Sequence, residues 1–287
     1  MFVELLKMTR PKNIVIAIIT LVVGYELLGH QPGYPLIAQA LAFALAIGFA
    51  NIQNDILDLE SDKMNRPERP LVTGKVTVKT ARITWIAMAI LMLTCGIADS
   101  LASLAFFVLL AALLMAYNKW LKHIPLLKNM TVAFLCTTPL FFTAMYTIFF
   151  EPNNDPDAYI WAIIPAIPFA FLLTTAREIY KDLEDETGDL KAGIMTFPLI
   201  AGSATARRLA GAIMVFTWIS LPLPVFYMDK VFGHNYPMLF LIITGITLTP
   251  CFAYVLVQAH RKNYRKAQSA VKAGMFLGLI ALIVCNI

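Results

Sequence analysis

The sequence predicts an all-α polytopic membrane protein: nine transmembrane helices, with the N-terminus on the cytoplasmic side. Three observations predict it. Of 287 residues, 59% are hydrophobic and only 14% charged, and the mean hydropathy is +0.71, well outside the composition of a soluble domain. The apolar residues gather into runs of roughly 20, the length that carries a helix across a hydrocarbon core. Of the 23 Lys and Arg, all but Lys230 fall into alternate connections between those runs, the asymmetry that places basic loops on the cytoplasmic side.

In chain order, Lys7, Arg10 and Lys12 precede an apolar run over residues 14–29. No small-x-small cleavage site follows Leu28, so the run reads as span one and not as a signal peptide. The remaining spans are expected over residues 35–57, 80–98, 100–118, 128–149, 158–180, 208–228, 236–258 and 268–286. Outer connections such as residues 151–157 are acidic or neutral, and the long charged connections follow spans two and six. The whole chain, 1–287, reads as one membrane domain. Cys95, Cys136, Cys251 and Cys285 stand alone within apolar runs, which suits packing and excludes a disulfide framework. The net charge of +5 follows from membrane topology and carries no nucleic-acid signal.

The inner connection after span two opens on NIQNDILDLESDKMNRPERPL, residues 51–71. Asp55, Asp58 and Asp62 are spaced by three and then four residues, which places them on one face of a helix, with Asn51 and Asn54 on or beside it. Arg66-Pro67-Glu68-Arg69-Pro70 cannot continue a helix. After span six, Asp182, Asp185 and Asp189 repeat the same spacing on the same membrane side. Each cluster alone could be a solvated helix end. Two with matching spacing point to a binding site, because carboxylates gathered at a membrane helix end are costly without a positive partner. The fitting partner is a hard divalent cation with oxygen ligands, carrying a phosphate. Arg66 and Arg69, with Lys119 and Lys122 at the end of span four, supply cations for such a phosphate. The basic cluster over residues 261–266 reads as a lipid-headgroup contact.

These residues resemble a known family. Asn54-Asp55-x-x-Asp58-x-x-x-Asp62, with Arg69-Pro70-Leu71 downstream, is similar to the first motif of the UbiA superfamily of intramembrane prenyltransferases, and Tyr180-x-Asp182-x-x-Asp185-x-x-x-Asp189 to the second. The resemblance covers nearly the whole chain. It implies helices around a central cavity and a magnesium-dependent transfer of an isoprenoid chain from its diphosphate to a lipid-soluble acceptor. Asn54, Asp55, Asp58 and Asp62 would hold one Mg2+ and Asp185 and Asp189 a second. Arg66, Arg69, Lys119, Lys122, Tyr180 and Lys181 would bind phosphate oxygens, and Asp58, Asp182 and Asp185 would be catalytic, Asp182 as a proton acceptor. Tyr117, Tyr146 and Tyr180 are candidates to face an allylic cation. The stretch REIYKDLEDETGDLKAGIMTFP, residues 177–198, is most similar to the branch of ether-lipid synthases that join geranylgeranyl diphosphate to geranylgeranylglyceryl phosphate. An aromatic acceptor in quinone or chlorophyll-type synthesis would use the same metal site. An ion-coupled transporter would instead place its acids near the bilayer midplane.

Overall fold

A computed structural model describes residues 1–150 and 157–285. Most of the expected acidic outer connection, residues 151–156, lies outside the described residues, as does the end of span nine at residue 286. Most of the described residues are helical, and they fall into two compact units.

The first unit comprises residues 1–22 and 31–122. It holds α1 (Phe2–Met8), most of α2 (Pro11–Leu27), α3 (Tyr34–Leu57), α4 (Leu59–Asn65), α5 (Val78–Asp99) and α6 (Leu101–Lys119). Local chemistry sets the helix starts. Pro35 sits in the first turn of α3, where its missing N–H is not needed. Thr77 and Ser100 cap α5 and α6, each hydroxyl accepting a backbone N–H three residues on at 3.1 Å. The helices α3, α5 and α6 pack on one another. Between α5 and α6 the approach is close: a methyl at Gly96 would stand 3.1 Å from Leu104 Cα, so the bend between these helices accepts little beyond a hydrogen there. Ile83, Ile86, Ile90 and Ile97 are exposed along α5, an apolar surface that suits lipid and not water.

The second unit comprises residues 23–30 and 123–287. Its helices are α7 (Leu127–Phe150), α8 (Asp157–Ile163), α9 (Ala166–Lys191), α10 (Phe197–Ala201), α11 (Ser203–Ser220), α12 (Leu223–Phe226), α13 (Asp229–Phe232), α14 (Met238–His260) and α15 (Tyr264–Val284). Helix α9 packs against α7, α11 and α15. One side of it (Leu173, Ala176, Ile179, Tyr180 and Leu183) is buried in a cluster with Ala206, Ala210 and Met214 of α11, Phe252 and Val255 of α14, and Val271 of α15.

Eight helices among the described residues are long and apolar enough to cross a membrane. The ninth expected, α2, has 17 residues, about 26 Å at 1.5 Å per residue. Span six differs from expectation. It is two helices, α8 and α9, divided before Pro165, whose ring cannot continue the preceding helix. Helix α9 then runs on past the expected end of the span near residue 180, through the second acidic stretch, to Lys191.

Candidate active site

In the first unit the acidic motif spans a joint. Helix α3 ends at Leu57, Asp58 has φ −91° and ψ 9°, and α4 begins at Leu59. Backbone bonds from Asp58 N–H to Asn54 O (2.9 Å) and from Asp62 N–H to Asp58 O (2.8 Å) carry the helical register across it. Asp55 and Asp62 therefore keep a common side, as expected. Asp58 keeps the same register and takes partners of its own.

The loop after α4 folds back over this side. Leu71 and Val76 are buried in an apolar cluster with Met8 and Ile52, Gly74 turns the chain with φ +71°, and Thr73 N–H donates to Arg69 O at 2.9 Å. This anchoring presents Arg69 to the acids. Its Nη1 donates to Asp55 Oδ1 at 3.0 Å and also to Asp62. Arg10 Nη2 reaches the same Asp55 oxygen at 3.5 Å. Asp55 and Asp62 are 5% and 6% exposed. Burial raises the Asp62 carboxyl above its ordinary value, with Arg69 opposing. Asp58 accepts from Lys122 Nζ at 2.6 Å and from Asn54 Nδ2 at 2.9 Å. Asn118 of α6 donates to Ala50 O at 2.8 Å and Gln53 Oε1 at 3.0 Å, tying α6 to the helix that carries the motif.

In the second unit, Glu178, Asp182, Asp185 and Asp189 follow one another along α9 at four, three and four residues. Asp182 is 3% exposed. Lys128 Nζ donates to its Oδ1 at 2.8 Å and Asn129 Nδ2 to its Oδ2 at 2.9 Å, both from the first turn of α7. Asp185 is exposed and Asp189 half-buried. Glu178 is buried and accepts from Arg177 Nη1, with Lys181 Nζ 3.8 Å away. Asn129 Oδ1 is buried and has no hydrogen-bond partner, a state that costs about 1–3 kcal/mol when nothing is bound to it.

Arg69 and Lys122 thus lie on the first-motif carboxylates, and Asp182, Asp185 and Asp189 share one helix. Four candidates differ from expectation. Tyr180 is fully buried in the apolar cluster of the second unit, two residues and so about half a turn from Asp182, and its hydroxyl has no hydrogen-bond partner; this environment does not suit a phosphate ligand. Lys119 is exposed and stands 4.8 Å above the Trp120 ring. Arg66 is exposed, apart from the bridge that Arg69 makes. Tyr146 packs near His30, 18 residues along α7 from Lys128, roughly 27 Å at 1.5 Å per residue. The sequence reading missed Arg10, Lys128, Asn129 and Glu178. The first three act on acids 45, 54 and 53 residues away, a distance at which spacing carries no signal. Glu178 could have been found by extending the acidic register one turn back.

No group of three His, Cys, Asp or Glu among the described residues forms a ready-made metal cluster. The donor set nevertheless fits magnesium. Two buried carboxylates from successive helices converge on one cationic nitrogen of Arg69, and all donors are hard oxygens.

The model of the UbiA prenyltransferase family matches residues 15–280. The chain is 32% identical over 280 residues to the digeranylgeranylglyceryl phosphate synthase of Methanopyrus kandleri, covering 97% of each chain. It is 33% identical over 292 residues to that of Thermococcus gammatolerans, covering 99% of this chain and 97% of the relative. Among solved structures, one of a digeranylgeranylglyceryl phosphate synthase superposes with a TM-score of 0.78 at 24% identity, over 99% of this chain and 98% of the other. A UbiA homolog from Archaeoglobus fulgidus bound to DMAPP and Mg2+ gives 0.67 at 17% identity, over 99% of both. At these identities the two structures speak for the fold.

Proposed function

Because the chain belongs to the UbiA prenyltransferase family, we propose that it transfers a geranylgeranyl group from geranylgeranyl diphosphate to the free hydroxyl of geranylgeranylglyceryl phosphate, a step of ether-lipid synthesis. The allylic carbon–oxygen bond of the donor breaks, the acceptor oxygen bonds to that carbon, and diphosphate and a proton leave. The chain works as one catalytic domain with nine spans, and both acidic motifs act at the cytoplasmic face of the membrane.

One observation carries this reading: acids and bases are already paired at both motifs. Arg69 lies on Asp55 and Asp62, Lys122 on Asp58, and Lys128 on Asp182. Such pairs could part for a bound metal diphosphate without leaving a buried charge unmatched. The carboxylates would then face the metal, and the freed Arg and Lys the phosphate oxygens. Asn54, Asp55, Asp58 and Asp62 would hold one Mg2+, and Asp185 and Asp189 a second. Arg69, Lys122 and Lys181, with Arg66 at the margin, take the phosphate charge. Bound magnesium supplies charge neutralisation for the departing diphosphate. Asp182, once Lys128 has moved to a phosphate, receives the hydroxyl proton. The isoprenoid tails lie among the apolar spans and exclude water from the allylic cation.

The test is product analysis with purified protein, Mg2+ and geranylgeranyl diphosphate against a panel of acceptors. The expected product is the doubly prenylated glyceryl phosphate, with Asp58→Ala and Asp185→Ala each lowering the rate at least a hundredfold. Prenylation of an aromatic acceptor alone would reassign the pathway. Undiminished rates in both variants, or activity that survives a chelator, would remove the mechanism.

A further inference from the structure

The second unit holds a polar group that the reaction above does not use. Asn129 is completely buried in the first turn of α7. Its Nδ2 is held by Asp182 Oδ2 at 2.9 Å. This bond fixes which way the amide faces, since the reverse placement would set Oδ1 against a carboxylate. Oδ1 is therefore the atom left over, and it has no partner. Buried carbonyl oxygens are ordinarily satisfied, so one held in place beside a motif acid marks a position for a donor that arrives later.

The surroundings say which donor. Lys128, the preceding residue, neutralises Asp182 at 2.8 Å, so the trio of Lys128, Asn129 and Asp182 carries no net charge. A dication would have to expel Lys128, and an anion would face the acid. A neutral hydroxyl is the donor that such a carbonyl takes without cost. Lys128 is one-fifth exposed and Asn129 not at all, so the pair runs from the margin of the site to its interior. That order fits a molecule with a phosphate and, a few bonds away, a free hydroxyl.

We propose that Asn129 and Lys128 form the seat for the polar head of the acceptor: Asn129 Oδ1 accepts a hydrogen bond from the free hydroxyl and Lys128 Nζ binds the phosphate. Asn129 orients the nucleophile and takes no proton. The proposal rests on the assigned reaction and adds the residues that select the acceptor.

The experiment is a binding cycle without donor, so that no turnover occurs. Full-length protein in nanodiscs is titrated with geranylgeranylglyceryl phosphate and with its analogue in which hydrogen replaces the free hydroxyl. Wild type is expected to prefer the hydroxylated probe about tenfold, the order of one buried hydrogen bond. Asn129→Ala and Asn129→Leu, the second of which nearly keeps the volume, are expected to bind both probes equally. Magnesium-dependent binding of geranylgeranyl diphosphate should stay within about twofold in both variants. Lys128→Met is expected to lose preference for the phosphorylated acceptor over its dephosphorylated form. A hydroxyl preference that survives in the Asn129 variants, or is absent from wild type, overturns the proposal while leaving the prenyl transfer intact. Wild type that binds the diphosphate but neither acceptor probe overturns the acceptor assignment itself, and this inference with it. If neither Asn129 variant folds, the wild-type preference and the Lys128→Met result decide.

Discussion

Arg69 is the residue on which the first acidic motif depends. It places one nitrogen against two carboxylates that are both nearly out of solvent. Replacing it with alanine leaves two buried like charges facing each other. Removal of one partner from a buried pair costs about 3–5 kcal/mol, so Arg69→Ala should unfold at a markedly lower temperature than wild type in metal-free detergent solution. If the position that Arg69 occupies is also one that a divalent cation suits, added Mg2+ should restore more of the loss in the variant than it adds to wild type. Thermal unfolding with and without Mg2+ checks both parts, and an equal magnesium shift in the two proteins would separate Arg69 from the metal site. At this scale the sequence is informative about the acids and much less so about their partners. Asp55, Asp62, Asp182 and Arg69 announce themselves through spacing within one segment. Arg10, Lys128 and Asn129 reach their acids from other helices, and Tyr180 shares a motif with Asp182 while its side chain lies in the apolar cluster. A register that alternates about a helix axis decides what a residue faces, and adjacency in a motif does not.

Among the elements, those with strong apolar runs and capping residues were legible nearly to their ends. Helix α3 was expected over 35–57 and occupies Tyr34–Leu57; α5 was expected over 80–98 and occupies Val78–Asp99. Hydropathy places an apolar run well because the bilayer fixes its length. It says little about polar ends, which explains why the continuation of α9 to Lys191 was missed. Along residues 178–191 that helix is sustained by packing of Ile179, Tyr180 and Leu183 and by bonds from Ser203 to Glu186 (2.6 Å) and from Gln268 to Glu184 (3.2 Å). The α5–α6 hairpin gives an element-scale test. At Gly96 the nearest atoms to an added Cβ are the Cα and N of Leu104, at 3.1 and 3.3 Å. Backbone cannot swing aside as a side-chain tip can, so Gly96→Val should force the helices apart. Overpacking of this kind costs about 1–3 kcal/mol, to be read as a lowered unfolding midpoint. A midpoint unchanged or raised would show that the hairpin has slack. Donor binding in the folded fraction should be retained, since Gly96 lies at the end of α5 away from the acidic motif in sequence and in span direction.

For the whole molecule, the decisive property is which side of the membrane each polar segment occupies. The charge distribution argues for a single answer: with nine spans, all but Lys230 of the 23 Lys and Arg would share the side of the acidic motifs. Reversing that orientation would move 22 cations across the bilayer, and positive charge in short connections sets topology. The eight long apolar helices require α2 as a further crossing for the N-terminal cations to share the side of residues 63–82. Single cysteines placed at Ser61 in α4 and at Asp229 in α13, in a background with Cys95, Cys136, Cys251 and Cys285 replaced, make this measurable. In sealed right-side-out vesicles a membrane-impermeant maleimide should label Asp229→Cys and leave Ser61→Cys unlabelled until the membrane is opened. A third cysteine at Glu184, on α9, should behave as Ser61→Cys does, because the connection that follows α9 carries the same excess of Lys and Arg. Labelling of Ser61→Cys and Glu184→Cys from opposite sides would overturn the expected topology, whatever activity the protein retained.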